Sequence, residues 1–482
     1  MKTYQQIVRL LKKDDLLLDY NVINQEIEIK TITYDSRQVT SQTLFFVKGA
    51  AFKQEYLFKA IENGATVIVS EKRYDIKIPQ LIVRDVRRAM VHIAHYFYNY
   101  PSQDLKMTGI TGTKGKTSVV YFLKNIFDTE LKKKTAFLSS INSYDGTIEK
   151  ASELTTPEAL ELVKSLKNAN DAKCEYFTME VSSQALKYNR SDQIIFDVGA
   201  FLNIGTDHIS EIEHPDFQDY FNSKLLFSKQ CKNFVVNLDI CLIDTILESI
   251  PDEVNLITVS LVNPEADYYV SDILQTELGY TFSVNHIPYE IQISGLFNVE
   301  NAAVTIAIAN TYGISQKSIQ EGLRTARVNG RMEYFISTDK QVKVLVDYAH
   351  NELSFEKLFS SCKEGYKDHE LILIFGCPGN KAKNRRIELP RVANKYIDVV
   401  YLTMEDPGYE TVRDISLETQ QYLTIKNYIV DNREEAFKTA LGNAKKPTLI
   451  LFTGKGDEKY HKIKDHYVPM ISDVEIVNKY LK

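Results

Sequence analysis

Thr108-Gly109-Ile110-Thr111-Gly112-Thr113-Lys114-Gly115-Lys116-Thr117-Ser118 is the stretch on which the reading of this 482-residue chain turns. An apolar, strand-like run ends in two closely spaced glycines, and a Lys-Thr-Ser step then opens an amphipathic segment with apolar residues at Val119, Phe122, Leu123, Ile126 and Phe127. Strand, glycine loop and helix in that order make the pattern of a phosphate loop. The glycines let successive backbone N–H groups turn inward, the helix N-terminus adds partial positive charge, and Lys116 supplies a mobile cation for β- and γ-phosphates. Thr117 or Ser118 then presents a hydroxyl to Mg²⁺. The long form of the motif needs glycine at 110, where this chain has Ile, so the loop is the shorter form built on Gly112, Thr113, Lys114, Gly115, Lys116 and Thr117.

Around the loop lies chain enough for about three domains, and 44% hydrophobic residues can give each a core. The net charge of −6 is spread without long runs of one sign, which favours neither nucleic acid nor an anionic membrane as partner. Cys174, Cys231, Cys241, Cys362 and Cys377 show no CxxC spacing and no companion histidines, so reduced thiols and a cytoplasmic protein are expected. The first residues lead into a charged amphipathic segment unlike a signal peptide, and no run approaches the roughly 18 apolar residues of a membrane helix. No heptad or long apolar stripe stands out, so the chain is expected to be a monomer without membrane insertion.

Short apolar runs at 43–47, 65–69 and 80–83 alternate with helix-like stretches at 55–63 and 88–98, predicting a small α/β domain over residues 1–101. Pro-Ser-Gln-Asp at 101–104 reads as a linker. Strands at 135–138, 176–180, 197–203, 233–237 and 255–259, with helices between, predict a mostly parallel sheet in a central domain over 102–328. Residues 268–293 depart from that alternation as a small β appendage with hairpin-like segments, before a helix over 298–311. Strands at 343–347, 370–375, 399–403 and 448–452 predict a third, Rossmann-like domain over 329–482. The fold class is therefore α/β, in three domains. In each, polar or glycine-rich residues gather at strand ends, where ligands bind in open α/β sheets.

Six motifs follow one another at domain-consistent spacings: residues 111–117, Glu180-Val-Ser-Ser183, Asn203-Ile-Gly-Thr-Asp-His208, Gly295-Leu-Phe-Asn-Val-Glu-Asn301, Gly330-Arg-Met-Glu333 and Asp347-Tyr-Ala-His-Asn351. In that order, from about residue 30 to the C-terminus, the chain resembles the Mur ligases. Among them it is most similar to the MurE type, which adds the third residue of the peptidoglycan precursor peptide. The resemblance implies an ATP-dependent amide ligase that activates a carboxylate as an acyl phosphate for attack by an amine. Catalysis of that kind is mainly positioning and charge neutralisation.

On this resemblance Lys116 binds the transferring phosphate, and Thr117 or Ser118, Glu180 and His208 supply ligands for Mg²⁺. Lys224, by itself a solvated helix lysine, matches the family lysine that becomes a carbamate and, as an anion, orients a second Mg²⁺. Asn298 and Asn301 match adenine contacts, though either could cap a helix. Arg331, Asp347, His350 and Asn351 match nucleotide contacts from the third domain. For the acceptor, UDP-MurNAc-L-Ala-D-Glu, Ser36 lies in the uridine motif Tyr34-Asp35-Ser36-Arg37, while Thr155, Thr156, Ser182 and Arg190 match contacts to the muramoyl dipeptide. Thr-Thr-Pro at 155–157 reads equally as a helix start with Pro157 in the first position.

Residues 405–410, Glu-Asp-Pro-Gly-Tyr-Glu, match the family's amino-acid loop, and Arg386, Gly454 and Glu458 match groups holding the amino acid's α-carboxylate and α-amine. Enzymes adding meso-diaminopimelate carry arginine where this chain has Gly408, so the distal carboxylate loses its partner. Glu405 and Asp406 instead leave an acidic site suited to a distal ammonium, which favours L-lysine. L-ornithine, meso-diaminopimelate and a non-catalytic binding paralogue are the alternatives.

Overall fold

The computed structural model describes residues 2–49, 52–205, 213–276, 278–328, 330, 332–339, 341–444, 447–464 and 466–481. His208 and Arg331 lie outside the described residues. The chain forms two compact units: Met1–Ser271 with Ser283–Pro288 and Glu300–Leu323, and Asp272–Phe282 with Tyr289–Val299 and Arg324–Lys482.

The first unit holds two main sheets. One has five strands in the order Leu17–Tyr20, Gln80–Val83, Ala65–Ser70, Thr43–Phe46, Thr31–Thr33, all parallel except the first. Every residue of Thr43–Phe46 and Gln80–Val83 is buried, as expected of apolar runs covered on both faces. The helix Val86–Phe97 follows, capped by the Asp85 carboxylate, which accepts from the backbone N–H groups of Arg87 and Arg88. Residues 101–104, the expected linker, are an ordered turn. Pro101–Asp104 is a 3₁₀ turn with Pro101 and Ser102 buried.

The second sheet of this unit has a parallel core in the order Ala136–Leu138, Tyr176–Glu180, Lys106–Thr111, Phe196–Phe201, Cys231–Asn237, Asn255–Ser260. Asn142–Tyr144 and Glu149–Ala151 add antiparallel strands at one edge. The central strand is packed too closely for a side chain at Gly109, where a Cβ would come within 2.6 Å of the Phe227 ring. Register places Ile110 beside Glu180 and Thr111 beside Phe201. The loop after 111, the Glu180 carboxylate and the Asn203 turn therefore leave the sheet at the same carboxyl edge.

Tyr268–Gln275, Tyr280–Val284 and Ile287–Ile291 form the expected β appendage, with Asn285 and His286 turning at φ 47° and 67°. Two positive φ values in a two-residue loop define a primed hairpin turn. In the second unit the six-stranded order is Glu333–Ile336, Val342–Asp347, Thr448–Thr453, Glu370–Phe375, Val399–Leu402, Lys426–Ile429, parallel except at the first edge. Its core packs Val344, Val346, Ile372, Ile374, Tyr401, Phe437 and Phe452. The carboxyl ends of these strands carry Asp347, Thr403 to Glu410 and Gly454 to Glu458.

Candidate active site

Gly112 and Gly115 take φ 145° and 86°, and Gly115 is the N-cap of the helix Lys116–Leu131. Both turns need glycine for the backbone to curl. At Gly115 there is also no room, since a Cβ would meet Asn301 Oδ1 at 2.4 Å. Asn203 holds the loop from below: its Oδ1 accepts from the Lys114 N–H at 2.9 Å, its Nδ2 donates to the Lys114 carbonyl at 3.0 Å, and its own carbonyl accepts from the Thr113 N–H at 3.0 Å. The Thr113 hydroxyl meets the Tyr220 hydroxyl at 2.9 Å.

Two ammonium groups converge on one carbonyl here. Lys116 Nζ donates to Gly112 O at 2.9 Å and Thr113 O at 3.1 Å, and Lys224 Nζ donates to Gly112 O at 2.9 Å. Lys224 is 1% exposed, so it is not the solvated helix lysine its local sequence suggests. Thr117 Oγ1 donates to Glu180 Oε1 at 2.8 Å, and the same carboxylate oxygen accepts from the Ser140 N–H at 2.7 Å. Ser140 Oγ lies 3.0 Å from Thr117 Oγ1. Hydroxyl and carboxylate oxygens gathered beside a phosphate loop are the hard donors Mg²⁺ takes, with substrate phosphates and water completing its shell. No set of three or more His, Cys, Asp or Glu side chains placed for a metal occurs among the described residues. Ser118 lies in the first turn of the same helix. Asn298 Nδ2 donates to the Ser294 carbonyl at 2.7 Å, tying the chain ahead of the helix Phe297–Thr311.

Of the residues expected to meet the acceptor, Ser182 and Arg190 gather around Thr156. Its hydroxyl donates to Glu180 O at 2.9 Å and accepts from Ser182 N at 3.0 Å, while Arg190 Nη1 donates to its carbonyl at 3.1 Å. Arg190 Nη2 also pairs with Glu158 at 2.7 Å, and Glu158 pairs with Lys48 at 2.5 Å. Burial raises the Glu158 carboxyl, yet Lys48 and Arg190 hold it below its ordinary range. Thr155 is half-buried next to this cluster in sequence. The helix starts at Ala159 with Glu158 as N-cap, so Pro157 precedes it and does not occupy its first position. Ser36 is buried in the turn Ser36–Gln38, and its carbonyl accepts from Asn63 Nδ2 at 2.9 Å.

In the second unit the Asp347 carboxylate accepts from Met332 N at 2.8 Å and Ala349 N at 2.7 Å. His350 Nδ1 lies 2.7 Å from the Tyr348 carbonyl, and Asn351 caps the helix Glu352–Gly365. Arg386, 1% exposed, is clamped by Glu410 through two hydrogen bonds of 2.9 Å, by Glu418, and by the Pro378 carbonyl at 3.1 Å. The Arg386 fork pulls the Glu410 carboxyl down to about 2. Lys455, also 1% exposed, sets its ammonium against Asp406 at 3.0 Å and against Glu458. Burial lifts the Asp406 carboxyl, but Lys455, the Lys462 N–H and Lys381 together outweigh it and the net shift is downward. Glu405 is different: burial dominates and pushes it up to about 7. A Cβ on Gly454, which has φ 102°, would lie 3.6 Å from Glu405 Oε2. Gly408 has φ 58° and lies between Asn380 and the Lys462–Lys464 segment.

Ser140, Tyr220, Lys48 and Glu158 on the first unit, and Lys455 on the second, contact candidate residues of their own unit without having been singled out by sequence. Ser140 follows the end of a predicted strand and Lys455 lies between Gly454 and Glu458 after another, so strand-end position was the available signal. Lys48 and Glu158 are 110 residues apart and had none.

Fold and loop define an α/β protein of the phosphate-loop class, with strand-end side chains gathered on both units. Residues 110–309 match the Mur ligase middle domain, and residues 330–456 match the Mur ligase glutamate ligase domain. The UDP-N-acetylmuramoyl-L-alanyl-D-glutamate--L-lysine ligase of Streptococcus pyogenes serotype M4 (strain MGAS10750) is 36% identical over 495 residues, covering 100% of both chains. Its counterpart from serotype M3 (strain MGAS315) is 37% identical over 498 residues, again covering 100% of both. Among solved structures, a UDP-N-acetylmuramoyl-L-alanyl-D-glutamate--2,6-diaminopimelate ligase superposes with TM-score 0.66 at 22% identity, covering 93% of this chain and 94% of that one. A D-alanyl-D-alanyl ligase from Acinetobacter baumannii superposes with TM-score 0.61 at 20% identity, covering 94% and 96%. The chain belongs to the Mur ligase family.

Proposed function

We propose that this chain is an ATP-dependent ligase that adds L-lysine to the D-glutamate of UDP-MurNAc-L-Ala-D-Glu in peptidoglycan precursor synthesis. The observation that carries the reading is the convergence of Lys116 and Lys224 on the Gly112 carbonyl of the loop, beside the hydrogen-bonded pair Thr117 and Glu180. A carboxylate oxygen of the D-glutamate attacks the γ-phosphorus of ATP and ADP leaves. The lysine amine then attacks the acyl carbon, and phosphate leaves as the amide forms. Lys116 and the N–H groups at the start of the helix Lys116–Leu131 hold the phosphates and neutralise charge on the transferring group, the Thr113 and Lys114 N–H groups being engaged by Asn203. Thr117 or Ser118, Glu180 and His208 would hold Mg²⁺, with carbamylated Lys224 orienting a second ion, and the bound metal would supply positive charge against the phosphates.

Arg190, Thr155, Thr156 and Ser182 receive the acceptor's dipeptide and Ser36 its uridine end. Asn298, Asn301, Arg331, Asp347, His350 and Asn351 receive ATP. Arg386, Glu405, Asp406, Gly408, Gly454 and Glu458 form the amino-acid site. Lys455 already pairs with Asp406 and Glu458, so we assign the distal ammonium to Glu405, which has no lysine or arginine ion pair among the described contacts. We place the functional domains at 1–101, 102–328 and 329–482, in a cytoplasmic monomer. No helix among the described residues is long and apolar enough to cross a membrane.

The test is phosphate release from ATP and Mg²⁺ with UDP-MurNAc-L-Ala-D-Glu and, separately, L-lysine, L-ornithine and meso-diaminopimelate. Release with lysine and a tripeptide of the matching mass are expected. Release with diaminopimelate alone would overturn the amino-acid assignment, and silence in all three would point to a binding paralogue.

A further inference from the structure

Outside the groups assigned so far, one buried set of side chains has an order that the ligase reading does not use. His214 is fully buried, and both of its ring nitrogens are engaged: Nδ1 lies 2.6 Å from Asp219 Oδ2, and Nε2 lies 2.9 Å from Ser183 Oγ. Asp219 also accepts from Lys187 Nζ at 2.6 Å, and Lys187, followed by His214, holds its carboxyl below the usual range. An ionised carboxylate only accepts, so Nδ1 carries a proton; in the neutral ring Nε2 then accepts from the Ser183 hydroxyl.

Serine, histidine and aspartate in this sequence of hydrogen bonds match the connectivity of a hydrolase triad. Burial excludes that use, because Ser183 is 4% exposed and His214 is 0% exposed, and no acyl group reaches the hydroxyl. The two ends of the histidine instead join two functional elements. Ser183 is the first residue of the turn of helix that follows Glu180, and Asp219 lies in the first turn of the helix Phe217–Leu225, which carries Lys224. Tyr220, next to Asp219, packs edge-on to the His214 ring at 5.3 Å. It also sends its hydroxyl to Thr113 of the phosphate loop and lies under Lys224 Nζ at 4.9 Å from the ring centroid.

We propose that His214 is a positioning residue of the ligase reaction, a two-ended tie that fixes the Lys224 helix and Tyr220 against the Glu180 strand end and the phosphate loop. The inference rests on the ligase reading only for its kinetic test.

Phosphate release under saturating substrates, with KM values and melting temperatures, is measured for wild type, His214→Ala, His214→Asn and Ser183→Ala. His214→Ala is expected to lower kcat at least tenfold while changing the KM for the amino acid less than threefold. His214→Asn keeps an amide donor for Asp219 and is expected to stay within threefold of wild-type kcat, with Ser183→Ala between the two. A folded His214→Ala with kcat within twofold of wild type overturns the proposal, as does equal impairment of the Ala and Asn variants. If His214→Ala does not fold, His214→Asn and Ser183→Ala decide: Ser183→Ala at wild-type kcat beside an inactive but folded His214→Asn overturns it. If wild type releases no phosphate with any amino acid, the ligase reading has failed, and binding of a fluorescent ADP tests the tie separately. A fivefold or larger rise in Kd in His214→Ala, or in Ser183→Ala should that variant not fold, supports it, and an unchanged Kd overturns it.

Discussion

Gly408 shows what a single backbone angle does at a position we propose for the amino-acid site. With φ 58° it lies in the left-handed region, and a Cβ would come within 2.5 Å of Asn380 Oδ1. A side chain there costs about 1–2 kcal/mol from the backbone alone. Gly408→Arg is therefore expected to lower the urea midpoint and to gain no phosphate release with meso-diaminopimelate. Glu405 makes the opposite kind of statement, an acid kept where burial disfavours its charge. Its carboxyl titrates near 7 when folded and near 4.5 when unfolded, so the folded state binds the extra proton between those values. The stability it contributes is complete below pH 4.5 and declines as pH rises to about 7, by about 3 kcal/mol at most. Glu405→Gln is expected to melt higher than wild type at pH 8 and equally at pH 4.5, while raising the KM for L-lysine at least tenfold at pH 8. Melting curves across pH and amino-acid titrations check both halves.

At the scale of elements, the phosphate loop depends on a strand it never touches in sequence. Lys106–Thr111 supplies the direction, but the shape of residues 112–115 is held by Asn203, 89 residues further on, through both of its amide groups. Removing them leaves a backbone N–H and a carbonyl without these partners, worth about 1–3 kcal/mol. Asn203→Ala is expected to weaken nucleotide binding about tenfold or more without abolishing folding, as read by titration with a fluorescent ADP. Glycines, lysine and strand were legible at 108–118 because their chemistry is local. Asn203 was visible as part of a motif, whereas its role as a clamp required the register of Thr111 with Phe201.

Over the whole first unit, the small sheet and the large one are joined by buried charge. Lys48 follows the Thr43–Phe46 strand, and Glu158 and Arg190 belong to the other sheet's surroundings; their side chains are 9%, 17% and 9% exposed. Glu158→Ala strands two cations in this joint, a change worth on the order of 3 kcal/mol. It is expected to lower the melting temperature and raise the KM for UDP-MurNAc-L-Ala-D-Glu, with the KM for L-lysine unchanged. His92 forms a second contact in the same joint, 2.6 Å from Asp14 and 3.5 Å from Asp192.

The α/β class, the positions along the chain of most parallel strands and the loop at 112–117 were legible in the sequence, because apolar periodicity, glycine and local chemistry act over a few residues. It missed edge strands such as Lys426–Ile429 and Glu149–Ala151, whose exposed faces admit polar residues that blur the pattern. The burial of Lys224 against Gly112, the pairing of Lys455 with both Asp406 and Glu458, and the hold of Glu410 on Arg386 came from the tertiary structure alone. These facts depend on which distant charges share a low-dielectric space, and no spacing along the chain records that.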